Sequence, residues 1–181
     1  MSVKQLSFEY APAHLPGHVE ILLHETAEFL ENWEEDRESH RFVPADYVLV
    51  YDALCVLRKM MPAKPRFMEW GSGLGIVTML AASLGWQAEG IEIEPGLVQE
   101  SRHLSDLFDL QMKVHQGSFF PKDNEAVEHL PELCGKADLI YVYPWPDQEI
   151  EIFDLFDRLA RPGAHLLTYY GIEDIRVFQK D

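Results

Sequence analysis

One stretch constrains this chain more than any other: Phe67-Met68-Glu69-Trp70-Gly71-Ser72-Gly73-Leu74-Gly75. An apolar helical pattern follows it, and then Gly90-Ile91-Glu92-Ile93-Glu94-Pro95. The order is strand, glycine loop, helix, strand, acid. That order predicts a βαβ unit holding an adenosine-containing ligand against bare main chain. A Cβ at 71 or 73 would obstruct the close approach such a ligand needs.

The rest of the chain extends the same alternation. Strands are predicted at Arg66–Trp70, Ala88–Ile93, Met112–Gln116, Ala137–Tyr143 and Ala164–Tyr170, with helices at Ile76–Leu84, Pro95–Phe108 and Gln148–Ala160 between them. The Ala137–Tyr143 run is apolar throughout, as a central parallel strand requires. The polar connection Pro121–Gly135 has room for one short helix near Ala126–Leu130. Right-handed crossovers then give an α/β fold, a doubly wound and mostly parallel sheet. Gly171–Asp174 is too short for another crossover helix. Ile175–Gln179 is therefore expected to turn back as an antiparallel edge strand, giving the order 3-2-1-4-5-6.

Ahead of this core, residues 1–65 form a separate segment. Residues 1–16 read as an extended arm because Pro12 and Pro16 resist helix. From Gly17 to about Glu38, Val19, Leu22, Leu23, Thr26, Leu30 and Trp33 recur at helical spacing opposite an acidic face of Glu20, Glu25, Glu28, Glu31, Glu34 and Glu35. Arg37–Phe42 is a polar break. Pro44 suits the first turn of a second helix running to about Met61. Both helices are expected to pack on residues 66–181 within one compact domain, since 181 residues can bury roughly 70% of their unfolded surface.

Charge narrows the partners. The formal net charge is −16, which repels phosphate backbones and disfavours nucleic acid. A basic protein segment or a small molecule fits better. The two cysteines, Cys55 and Cys134, form no CxxC pattern and read as buried free thiols of a reducing compartment. The eight histidines form no metal set. No apolar run approaches membrane-spanning length, and Met1–Gln5 lacks a signal-peptide core, so a cytoplasmic location is expected.

The glycines fall at 71, 73 and 75, and Ile76 stands where a dinucleotide fingerprint places its third glycine. That spacing favours S-adenosylmethionine (SAM) over NAD. Four blocks together resemble the class I (Rossmann-like) SAM-dependent methyltransferases: Met68–Gly75, Gly90–Pro95, Ala137–Pro144 and Leu159–Ala164. They span about residues 66–170. Phe42-Val43-Pro44 and the Gly90-Ile91-Glu92 and Pro95-Gly96-Leu97-Val98 pieces are also similar to small protein-lysine methyltransferases. Two departures stand out. The closing two-strand hairpin of the family is incomplete, and Ser118 stands where many members carry an acid for the adenine amino group.

The resemblance implies SAM as cofactor and assigns roles by position. Gly71, Ser72, Gly73 and Gly75 would cradle the ligand, with the following helix N-terminus favouring its carboxylate. Glu69 would receive the ligand ammonium, or merely brace the loop. Glu92 would take the ribose hydroxyls, with Ile93 beside it and Glu94 as its competitor. Ser118 and Phe119 would flank the adenine, and Tyr47 or Tyr51 would cover the cofactor. The acceptor would lie past the fourth strand, where Tyr143 and Trp145 could grip a methylene chain or a cation. The alternative for that turn is rigid packing. No residue there reads as a general base. Methyl transfer to a protein lysine or small amine is the leading function, and a SAM-binding protein without catalysis is the alternative.

Overall fold

The computed structural model describes residues 3–35 and 43–181. The predicted break at Arg37–Phe42 and the side chains of Glu31, Trp33, Glu34 and Glu35 fall outside the described residues. In chain order the elements are β1 (Val3–Gln5), α1 (Gly17–Glu35), α2 (Tyr47–Met60), β2 (Arg66–Trp70), α3 (Ile76–Ser83), β3 (Gln87–Glu92), α4 (Pro95–Leu107), β4 (Met112–Gln116), α5 (Leu130–Lys136), β5 (Leu139–Val142), α6 (Glu149–Leu159), β6 (His165–Tyr169) and β7 (Ile175–Lys180).

Among the described residues the sheet has seven strands in the order β1-β7-β6-β5-β2-β3-β4. The five strands β4, β3, β2, β5 and β6 are parallel, as expected. β7 runs antiparallel to β6, also as expected, with Leu167 opposite Val177. It is not the edge, however. Part of the predicted arm pairs antiparallel with it, Val3 opposite Lys180, and Leu6 N–H donates to Val177 O at 2.8 Å. Three residues carry too little alternation to announce a strand. Only the open side of β7 makes them one, by offering unpaired backbone groups.

The sheet separates two cores. On one face α1, α2, α3 and α4 cover Phe67, Ala88, Leu139, Tyr141, Leu167 and Val177. On the other α5 and α6 cover Met68, Trp70, Ile91, Ile140, Val142 and Leu166. The strand alternation of period two sorts these sets. On the second face Glu89 and His115 remain uncovered and pair at 2.6 Å across a shallow cleft of about 270 Å3.

Several predicted boundaries move for local reasons. α2 starts after Asp46, not near Pro44, because the Asp46 carboxylate accepts the Leu49 N–H at 3.0 Å and caps the first turn. The short helix of the polar connection is not at 126–130. It begins at Leu130, with Pro131 in its first turn, where a missing N–H costs nothing. β3 ends at Glu92, so Ile93 leaves the sheet and is 43% exposed. Asp138 is not paired as strand. It lies just ahead of β5, its main chain bonding Arg66 O and His165 N–H at 2.9 Å each, and its carboxylate also accepts the Arg66 N–H at 2.7 Å and a bond from Arg161. Cys134 is buried as expected, whereas Cys55 is only half-buried.

Candidate active site

The carboxyl ends of β2, β3, β4 and β5 lie side by side, and every predicted site residue except Tyr47 and Tyr51 on α2 lies at or just after one of them. The glycine loop leaves β2 and is fastened to β3: Gly71 N–H and Ser72 N–H both donate to Ile91 O, at 2.9 and 2.8 Å. A tight turn follows, with Gly75 N–H donating to Ser72 O at 2.7 Å. Gly75 occupies the left-handed region, φ 72°, and serves as the N-cap of α3. A Cβ there would lie 2.4 Å from Ser101 Oγ. Gly75 is therefore demanded twice, by backbone conformation and by the closeness of α4. At Gly71 an added Cβ would meet only the Phe119 ring, at an ordinary 3.6 Å. The expected crowding at 71 is not part of the protein's own packing.

Glu92 closes this loop. Its Oε2 accepts the Gly73 N–H at 2.7 Å, and its Oε1 accepts the Glu94 N–H at 2.9 Å. Gly117 N–H donates to the Glu92 carbonyl at 2.8 Å, which brings β4's exit alongside. Burial raises the Glu92 carboxyl above its ordinary value against the opposing pull of those N–H groups. A carboxylate has about four lone-pair sites, so two backbone bonds leave acceptor capacity for further donors. Glu94, the competitor, is the N-cap residue of α4 and makes no side-chain capping bond.

Glu69 is the most confined acid of the site. Its Oε2 accepts both the Thr78 N–H at 2.9 Å and the Thr78 hydroxyl at 2.5 Å. Thr78 N–H is one of the orphan donors at the start of α3, so Glu69 caps that helix from a neighbouring strand. This is the bracing role in physical form. Burial pushes the Glu69 carboxyl up to about 8, with the Thr78 bonds pulling the other way. Both bonds use the same oxygen. Around Glu69 gather phenols: its charge raises Tyr47 on α2 and Tyr141 on β5, in each case after burial itself. Tyr141 is buried and its hydroxyl has no hydrogen-bond partner. Tyr47 thus stands on the Glu69 side, whereas Tyr51 hydrogen-bonds Cys55 further along α2.

The β4 exit is organised by Ser118. Its hydroxyl donates to Asp123 Oδ2 at 2.5 Å and accepts the Phe120 N–H at 3.0 Å. Ser118 N–H donates to Glu125 O at 2.7 Å, so residues 118–126 fold back on themselves. Ile93, Lys122, Asp123, Asn124 and Glu125 line an open cleft of about 520 Å3 beside it. Phe119 is engaged elsewhere. Its ring stacks on Trp70 at 5.6 Å and 5°, with Phe120 at 4.4 Å.

Beyond β5 the two aromatic residues separate. Tyr143 is half-buried, edge-on to Tyr169 at 4.9 Å. Trp145 is 45% exposed, in the turn where its N–H donates to Gln148 Oε1 at 3.3 Å. Thr78, Asp123, Tyr141 and Tyr169 were not singled out from sequence. A Thr at the third position of α3 was the one signal available, since such positions hold orphan N–H groups.

Solved structures share this architecture. A methyltransferase from Geobacter sulfurreducens aligns over 93% of this chain and 92% of its own, with TM-score 0.62 at 10% identity. An RNA methyltransferase from Salinibacter ruber, solved in complex with S-adenosyl-L-homocysteine, aligns over 75% of this chain and 91% of its own, with TM-score 0.57 at 21% identity. A putative O-methyltransferase from Klebsiella pneumoniae aligns over 86% of this chain and 66% of its own, with TM-score 0.56 at 15% identity. No family model and no curated protein sequence matches the chain. The chain shares its Rossmann-like α/β fold with these methyltransferases.

Proposed function

We propose that this protein is a SAM-dependent methyltransferase using the carboxyl ends of β2 and β3 for the cofactor and of β5 and β6 for the acceptor. The observation that carries this reading is the Gly73–Glu92 bond. It holds a buried carboxylate over a glycine loop at the N-terminus of α3, where hydroxyl-rich and carboxylate-bearing ligand parts find opposite chemistries within one site. The donor set fits the cofactor. Glu92 keeps acceptor capacity for two ribose hydroxyls, and the unpartnered Tyr141 hydroxyl beside Glu69 offers a donor next to an acid for the ammonium and carboxylate end. Ile93 and the cleft toward Asp123 would receive the adenine, with Gly71, Ser72 and Gly75 shaping the approach.

SAM supplies an electrophilic methyl on a sulfonium; transfer leaves a neutral thioether, and an amine acceptor loses one proton. The protein's contribution is placement, worth up to roughly 7–11 kcal/mol. Tyr143, held edge-on by Tyr169, forms the acceptor wall, and Tyr47 covers the Glu69 side. Burial raises the Tyr141 and Tyr169 hydroxyls, so these phenols stay protonated at neutral pH and donate hydrogen bonds rather than take protons. The acceptor proton therefore leaves before transfer.

Of the solved neighbours, one is an RNA methyltransferase and another a putative O-methyltransferase. The net charge of −16 argues against RNA for this chain and favours a protein lysine or small amine. Titration calorimetry with SAM tests the cofactor assignment, and no heat of binding would refute it. Transfer from methyl-labelled SAM into a cell extract tests catalysis. Binding without labelled product would favour a SAM-binding protein that does no chemistry.

A further inference from the structure

The turn between β6 and β7 bears two costs at one residue. Ile172 has φ 44°, a left-handed conformation that a β-branched side chain rarely adopts, and its side chain is 99% exposed. Gly171 and Glu173 on either side also have positive φ, at 85° and 61°. The strained turn is held firmly. Tyr170 N–H donates to Asp174 O at 2.9 Å, and Asp174 N–H donates to Gly171 O at 3.0 Å. Arg176 forks onto Asp174 at 2.9 and 2.7 Å and lies 4.5 Å above the Tyr170 ring. Tyr170 hydroxyl donates to Glu149 Oε1 at 2.8 Å. That last bond fastens the turn to the start of α6, whose next residue, Ile150, is 78% exposed, and which follows the exposed Trp145. A Cβ on Gly171 would sit 3.5 Å from the Tyr143 hydroxyl, so the turn roofs the proposed acceptor wall.

An apolar side chain displayed to water on a braced and strained backbone serves no purpose in this chain's own core. Glu173 and Asp174 flank it in the chain, Glu149 is tied to the turn through the Tyr170 hydroxyl, and the Arg176 guanidinium beside them is already engaged by Asp174 and lies 3.9 Å from Glu149. We infer that Ile172, Ile150 and Trp145 form a docking rim for a basic polypeptide partner, with Ile172 inserting between the partner's apolar groups while the surrounding carboxylates meet its cations. The inference rests on the proposed methyl transfer for its purpose, and it selects a polypeptide over a small amine as the acceptor. Charge complementarity and a fixed apolar knob together describe such a partner, because a small cation could use the acids but not the knob.

The test uses the full chain and a fluorescent peptide of alternating lysine and leucine. Ile172→Gly removes the side chain and relieves the left-handed strain. It should raise the thermal midpoint by about 2–4 °C, as expected for relief of strain in a chain of this size. The same variant should weaken peptide binding at least about tenfold, while Ile172→Leu keeps most of it. Peptide affinity unchanged by Ile172→Gly, spermine competing as well as the peptide itself, or no saturable peptide binding would each overturn the docking rim. SAM calorimetry on the same samples separates the two proposals. SAM binding with a peptide indifferent to residue 172 refutes the rim alone. A peptide response as expected without SAM binding refutes the methyltransferase reading and leaves the rim standing.

Discussion

Two loops leave the same end of the sheet and are built in opposite ways. The loop after β2 is buried from Ser72 to Gly75 and tied through its backbone: its N–H groups reach Ile91 and Glu92, and Glu69 and Glu92 accept backbone donors, while the buried Ser72 hydroxyl has no partner among the described residues. The turn after β6 is tied just as firmly but faces water, and its strain falls on an isoleucine rather than a glycine. In the first loop left-handed backbone is assigned to glycine, so the conformation costs little. In the second it is assigned to a β-branched residue, so it costs stability. The difference separates a region shaped to hold a fixed small ligand from one shaped to present a side chain.

The sharpest way to break this contrast is Gly75→Val. The substitution places Cβ within 2.4 Å of Ser101 Oγ at φ 72°. Left-handed strain and overpacking together should cost about 3–5 kcal/mol. Urea unfolding measures this, and a loss under about 1 kcal/mol would show that the loop is looser than its bonds imply.

Next in size is Glu92→Ala. It strands the Gly73 and Glu94 N–H groups, each worth about 1.5–3 kcal/mol when bonded to a charge. SAM affinity should fall by about 10- to 100-fold by calorimetry. An unchanged constant would move the ribose role to Glu94.

Glu69 gives a pH signature. Its folded-state carboxyl sits near 8, above the ordinary 4.5. Between those values the folded protein holds a proton that the unfolded chain releases. Stability should therefore decline as pH rises through that window, by at most about 1.4 kcal/mol per pH unit, and level off above about 8. Glu69→Gln should flatten the decline in urea titrations at several pH values. If a ligand ammonium docks at Glu69, the carboxylate must ionise first. SAM affinity should then rise with pH up to about 8 in the wild type and stay flat in Glu69→Gln.

The smallest effect belongs to Trp145→Ala. The side chain is 45% exposed and makes no hydrogen bond among the described residues, so stability should stay within about 0.5 kcal/mol. Chemical denaturation checks this. A larger loss would mean that Trp145 supports the turn rather than the surface.

Much of the molecule was legible because periodicity and glycine chemistry are local. β2 and β4 appear at their predicted bounds, and α3, α4, α6 and β7 within a residue or so. Pro131 was read as part of a polar connection when it marks a helix start. β1 escaped notice because Val3–Gln5 becomes a strand only when β7 offers it a partner. The site divides in the same way. Glu92 and the glycines follow from spacing along one βαβ unit. Thr78's grip on Glu69 and Asp123's bond to Ser118 are close in sequence but form only once the loops fold back, and the phenols of β5 and β6 meet only when those strands pair.

The sequence alone determined the α/β class, the succession of strands and the place of the glycine loop, because each depends on residues within a few turns of one another. Tertiary structure decided what each polar group bonds to and which side chains stay outside. Burial and hydrogen-bond geometry depend on neighbours 9 residues away, as Thr78 is from Glu69, and 72 residues away, as Asp138 is from Arg66. Ile172 makes the point most plainly: its type could be read as core, and only the folded turn leaves it in water.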